Sequence, residues 1–184
     1  MTIRTISSTL LILCLASSVF ARAAAPQRDH LTPQEVDIVK EAQILDQRIE
    51  VFIKAAERRL LVLNGTQAPT PTTKQSKKES ELWGDLPTGT HAELIADIAG
   101  ILDEAITNID DVSSRDERNP LIPKALRRLA QAVNNIMTQV EPLRTQAKSE
   151  AEVASLEILN DNAHQILEAA KKLAPEVETK KKKN

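Results

Sequence analysis

The 184-residue chain is poor in cysteine, aromatics and glycine. Its one cysteine is Cys14, it has no tyrosine, and its aromatic side chains are Trp83, Phe20 and Phe52. Cys14 lies in a segment that reads as a leader, so the processed chain would have no disulfide, thiolate ligand or thiol nucleophile. Haem attachment through Cys-x-x-Cys-His is excluded on the same ground. Sparse aromatics argue against sugar platforms and pockets for flat ligands, which rest on aromatic faces. Gly84, Gly89 and Gly100 form no phosphate-cradling loop, and no Gly-x-Ser-x-Gly elbow presents a nucleophile. Neither sign of charge dominates: 24 basic residues stand against 26 acidic ones, for a formal net charge of −2. Losing Arg4 and Arg22 with the leader would make the chain more acidic, which gives no electrostatic reason for nucleic-acid binding.

Long hydrophobic runs are scarce as well, and the one candidate is N-terminal. Arg4 supplies a positive start, an apolar run from Ile6 to Ala21 follows, and Ala21-Arg22-Ala23 is a small–x–small cleavage pattern. Ser7, Ser8, Thr9, Ser17 and Ser18 dilute the run below the roughly 20 apolar residues of a spanning helix. Residues 1–23 are therefore expected to be a signal peptide, with cleavage as late as Ala25. The product would be exported, periplasmic or extracellular, without a stable membrane anchor. Retention of the leader as an anchor is the competing outcome. Acylation at Cys14 would require a small residue where Leu13 stands.

What remains is helical pattern. The expected fold is all-α: one four-helix bundle with coiled-coil-like heptad seams over residues 32–175, after a short arm at 24–31. Thr32-Pro33-Gln34-Glu35 is a capping box with proline at the first helical position. From it, Ile38, Ala42, Leu45, Ile49, Phe52, Ala56, Leu60 and Leu63 recur at steps of three and four. This predicts a helix over 33–63, about 46 Å long at 1.5 Å per residue, stopped by Asn64-Gly65. Asn64-Gly65-Thr66 also matches a glycosylation sequon, although a helix stop accounts for it.

A loop over 64–89 follows. Its first part, residues 66–80, has no apolar period and is rich in Thr, Pro and Lys, so it reads as a flexible linker. A second capping box at Thr90 and Glu93 opens a helix over 91–114, with the seam Ile95, Ile98, Leu102, Ala105, Ile109, Val112. A third helix, 121–147, carries Ile122, Leu126, Leu129, Val133, Ile136, Val140 and Leu143, with Pro142 expected to kink or end it. A fourth, 150–174, is out of phase with the third and begins at a capping box, Ser149 and Glu152. Its seam is Leu156, Leu159, Ala163, Ile166, Ala170, Leu173. Pro175 stops it, and 176–184 is a Lys-rich, solvated tail. The second and fourth helices are acidic and the third is basic, which suggests that the third packs beside both.

Candidate sites are few. Asp161, His164 and Glu168 share a helix face, as metal ligands on one helix would, but a di-metal carboxylate bundle needs Glu-x-x-His on two helices. A solvated polar face is the plainer reading, and no cofactor is implied. Leu82, Trp83 and Leu86 form an apolar patch at the end of the loop. Trp83 is either an anchor for a partner or an anchor for the loop itself. Leu31-Thr32-Pro33-Gln34-Glu35 resembles the Leu-Thr-x-x-Gln start of small periplasmic helical chaperones and metal-stress sensors over five residues, with Glu35 where the glutamine would stand. The resemblance implies no site residue here. The expected function is a non-enzymatic, chaperone-like or scaffolding module that binds another extracytoplasmic protein or itself. The alternative is a bundle that binds a small ligand or a metal.

Overall fold

The computed structural model describes residues 29–66 and 73–173. The leader, residues 24–28 of the arm and the 176–184 tail lie outside the described residues. Those described are 79% helical and include no strand. In chain order the helices are α1 (Pro33–Glu41), α2 (Leu45–Leu63), α3 (Lys74–Trp83), α4 (His91–Arg115), α5 (Leu121–Gln146) and α6 (Glu150–Lys171). None is long and apolar enough to cross a membrane.

Local chemistry starts three of them. Thr32, Thr90 and Ser149 each accept a hydrogen bond from the backbone N–H three residues on. Glu35, Glu93 and Glu152 reach back to the capping residue's own N–H. Two otherwise orphaned amides are satisfied at each helix start. At the other end of α2, Gly65 takes φ 63, open to glycine without steric cost.

One apolar cluster lies between α2, α4, α5 and α6. Ile49, Phe52, Ile98, Leu102, Leu129, Ile136, Leu159 and Ile166 are fully buried in it. Removing the Phe52 side chain from water is worth about 2–3 kcal/mol. Going round the core the order is α2, α4, α6, α5, with no α2–α6 contact and a light one between α4 and α5. Side-chain pairs give the directions. Arg48 meets Asn108 while Arg59 faces Asp97, so α2 and α4 are antiparallel. Asp46–Lys124, Glu50–Arg128 and Asn64–Gln139 make α2 and α5 parallel. His91–Glu152 and Asn162–Ala99 make α4 and α6 parallel. The connection from α2 to α4, open to either topology in the sequence, thus joins antiparallel neighbours.

Three sequence expectations need correction. The helix predicted over 33–63 is two helices, broken at Ala42–Ile44, because α1 folds back onto α2. Part of the 64–89 loop is helical: α3 is a polar helix whose terminal Trp83 is buried, so it shows no apolar period. The basic helix α5 lies between α2 and α6, not beside α4; its Lys124 and Arg128 pair with Asp46 and Glu50 of α2. Apart from the buried Asp97, the acids of α4 and α6 are exposed or half-exposed, with Asp103, Asp110, Glu157 and Asp161 pointing to solvent, so two acidic helices can be neighbours. The helix expected over 121–147 is α5, and Pro142 lies within it without ending it. Proline there withholds a bond only from the carbonyl of residue 138, at the exposed Thr138.

Candidate functional site

The most concentrated polar chemistry in the described residues is buried where α1 meets α2, beside Asp97 of α4. Glu35 is 0% exposed and Arg59 1%, with Arg58 and Asp97 buried beside them. Glu35 Oε1 accepts from Arg58 Nε at 3.0 Å and from Arg59 Nη1 at 2.7 Å. Its Oε2 accepts from the Thr32 amide at 2.9 Å, so one carboxylate both caps α1 and pairs with two guanidinium groups. Arg59 Nη1 also donates to Ala55 O at 2.9 Å, and Nη2 donates to His30 O at 2.7 Å. Its Nε makes no hydrogen bond and lies 3.8 Å from Asp97 Oδ2, an electrostatic contact beyond hydrogen-bond reach. Arg58 Nη2 donates to the carbonyls of Gly84 and Asp85. Two cations and two anions thus tie together the N-terminal arm, α1, α2, the turn after α3, and α4. Buried charge of this kind persists only when paired and hydrogen-bonded.

The arm is held a second way. His30 Nε2 donates to Glu104 Oε2 at 2.8 Å, and the ring lies against Gly100 in the middle of α4. A Cβ at Gly100 would come within 3.0 Å of His30 Cγ. Here glycine is required for a close approach rather than for a turn.

The predicted apolar patch is divided by the fold. Trp83 is buried, with Lys54 Nζ 4.7 Å and the Arg58 guanidinium carbon 5.5 Å from its ring centroid. Cations over an indole face are attracted by its quadrupole, and here they fasten the end of α3. Leu86 is half-buried, and Leu82, 52% exposed, remains at the surface.

Asp161 and His164 are exposed on α6 and Glu168 is half-exposed; His164 Nδ1 lies 3.9 Å from Glu168 Oε1. Lys171 binds Glu168 at 2.6 Å and holds its carboxyl below the usual glutamate range, so this side chain is engaged by a cation. No group of three or more His, Cys, Asp or Glu side chains among the described residues is placed to hold a metal ion.

A cavity of about 230 Å³ opens at the end of the molecule where α4 and α6 begin and α5 ends. Ile95, Leu143, Ala147 and Leu156 give it apolar walls, and His91, Lys148 and Glu152 bring charge to it. Glu152 accepts from the amides of Lys148 and Ser149, at 2.8 and 3.2 Å, and these bonds lower its pKa. Its other oxygen lies 4.0 Å from His91 Nδ1.

Sequence reasoning missed the buried charge cluster. Glu35 was legible only as a capping residue. The available signal was position: Arg58 and Arg59 fall between Ala56 and Leu60, and Asp97 between Ile95 and Ile98. A helix buried over a broad face takes such flanking positions inside. No protein-family model, curated protein or solved structure matches the chain.

Proposed function

We propose that α2, α4, α5 and α6 constitute a four-helix bundle with coiled-coil-like seams, exported after loss of residues 1–23, and that the protein acts by binding another protein rather than by catalysis. The observation that carries this reading is the mounting of α3. α3 packs along α1, and its end is clamped by Trp83, buried under Lys54 and Arg58 of α2, while Leu82 faces solvent. A short helix with exposed Leu82 flanked by the charged Lys77, Lys78 and Glu81 on a fixed base is suited to a partner surface with an apolar centre and a charged rim. The buried cluster supports the same reading, because the guanidinium groups of Arg58 and Arg59 are directed to Glu35 and to main-chain carbonyls.

A photocrosslinking residue at position 82, used in cells that express the full chain, tests the proposal. One dominant adduct identifies a dedicated partner, and many unrelated adducts identify a chaperone-like holder of apolar segments. No adduct at 82 or at control positions on α2 and α5 would remove the reading. The cavity beside His91 and Glu152 favours a second reading, a bundle that takes a small ligand with an apolar body and a polar end.

A further inference from the structure

The break between α1 and α2 lacks the residues that normally break helices. Glu41-Ala42-Gln43-Ile44 contains no glycine, proline, serine, threonine, aspartate or asparagine. Only main-chain rotation separates the helices: Ala42 has ψ 85 and Ile44 has ψ 133, both ordinary for L-residues. Unlike α1, α4 and α6, α2 starts without a side-chain cap, so its first amides lose the partners that a continuous helix would supply. The apolar series through Ile38, Ala42, Leu45 and Ile49 crosses the break in helical register. Local preference therefore favours one straight helix from Pro33 to Leu63, and tertiary contacts impose the bend.

Those contacts are both apolar, with Leu31 in the core and Val36, Ile38 and Val39 packed against it, and polar. Glu35 enters the Arg58–Arg59 pair, His30 meets Glu104, and Arg48 Nε reaches the Ala42 carbonyl at 2.9 Å. A single chain that straightened would leave two buried arginines without Glu35, a strongly unfavourable state. A second copy removes that obstacle by supplying its own Glu35. Ile44, one of few large apolar side chains left exposed, lies at the bend, where two straightened helices would cross.

We propose that α1 is exchanged between two copies of this chain. Residues 42–44 become helical, the bent pair becomes one helix, and each copy's Glu35 seats between Arg58 and Arg59 of its partner. All buried charge pairs are kept, and the intrahelical bonds across the break are added. Exchange of an identical element through a short hinge is a low-cost route to dimers.

The test is light scattering on size-fractionated full chain, refolded at low and at high protein concentration. A dimer that grows with refolding concentration is expected. Gln43→Pro suits the bent form, since proline commonly follows a helix end, and penalises the straight one by removing a helix bond and crowding the preceding turn. It should lower the dimer fraction at least tenfold while leaving the helical circular dichroism and melting of the monomer unchanged. Gln43→Ala, which favours helix across the break and leaves Ile44 in place, should raise the dimer fraction. In a Cys14→Ser background, Gln34→Cys and Asp85→Cys place thiols on α1 and on the turn it covers. A short bismaleimide should then link two chains in the dimer and loop a single chain in the monomer. The proposal is overturned if wild type and Gln43→Ala stay monomeric at every concentration, if Gln43→Pro dimerises as readily as wild type, or if the dimer carries only intrachain links.

Discussion

At Gly100 two preferences oppose each other. Alanine in a helix interior is better than glycine by about 1 kcal/mol, so Gly100→Ala would stabilise α4 if nothing lay against it. The His30 ring does lie against it, 3.0–3.2 Å from where the new methyl would sit. The arm would have to lift, weakening His30–Glu104 and the bond from Arg59 to the His30 carbonyl. Gly100→Ala should therefore lower stability by about 1–2 kcal/mol in urea titrations. Combined with His30→Ala, which removes the ring, the same substitution should cost much less, giving a coupling readable in a double-mutant cycle. Additive effects would place His30 away from Gly100 in solution.

Among the elements, the start of α6 carries a carboxylate whose bonds are open to acid. Glu152 has its pKa lowered, first by the amide of Lys148 and then by that of Ser149. A group whose folded pKa is depressed contributes stability above its ordinary value, here 4.5, and loses it as pH falls through the depressed folded value. The lowered carboxyls of Glu168, held by Lys171, and Asp46, held by Lys124, act in the same direction. Amide hydrogen exchange at residues 148 and 149, corrected for the intrinsic rate, should accelerate as pH drops below about 4.5. Glu152→Gln should flatten that dependence. Ser149→Ala should cost about 1 kcal/mol through the lost cap, at acid and neutral pH alike.

For the molecule as a whole, the Glu35 carboxylate joins segments that are distant in sequence. It touches α1 and α2 directly, and through Arg58 and Arg59 it reaches the turn at Gly84–Asp85, the arm at His30 and α4 at Asp97. Glu35→Ala leaves two buried cations short of an anion and should cost about 3–5 kcal/mol. That is a large share of the roughly 5–15 kcal/mol that holds a typical domain. The loss should be visible as a fall in the urea midpoint, with increased exchange over Thr32–Glu41 and Gly84–Asp85. Replacing Glu35, Arg58 and Arg59 together by leucine and two methionines should recover much of it, since a packed apolar cluster can equal a buried ion network. A triple variant no more stable than Glu35→Ala would show that the charges matter for more than their mutual neutralisation.

Features governed by near neighbours were legible in the amino-acid order. The capping boxes at Thr32, Thr90 and Ser149 are present as read, because a cap depends on residues three apart. The phase change that separates α5 from α6 is real for the same reason, and Phe52, Leu102, Val133 and Leu159 are buried where the apolar period put them. Tertiary structure alone decided what depends on distant partners. It bent the chain at 42–44 against local preference, because Glu35 gains two arginines by folding back. It set α5 against α2, where Lys124 and Arg128 find acids that the comparison of α4 with α6 could not reveal. It turned Trp83 inward under Lys54 and Arg58, leaving Leu82 outside. Periodicity states which face of a helix seeks burial; which other face it meets depends on the shape and charge of the whole chain.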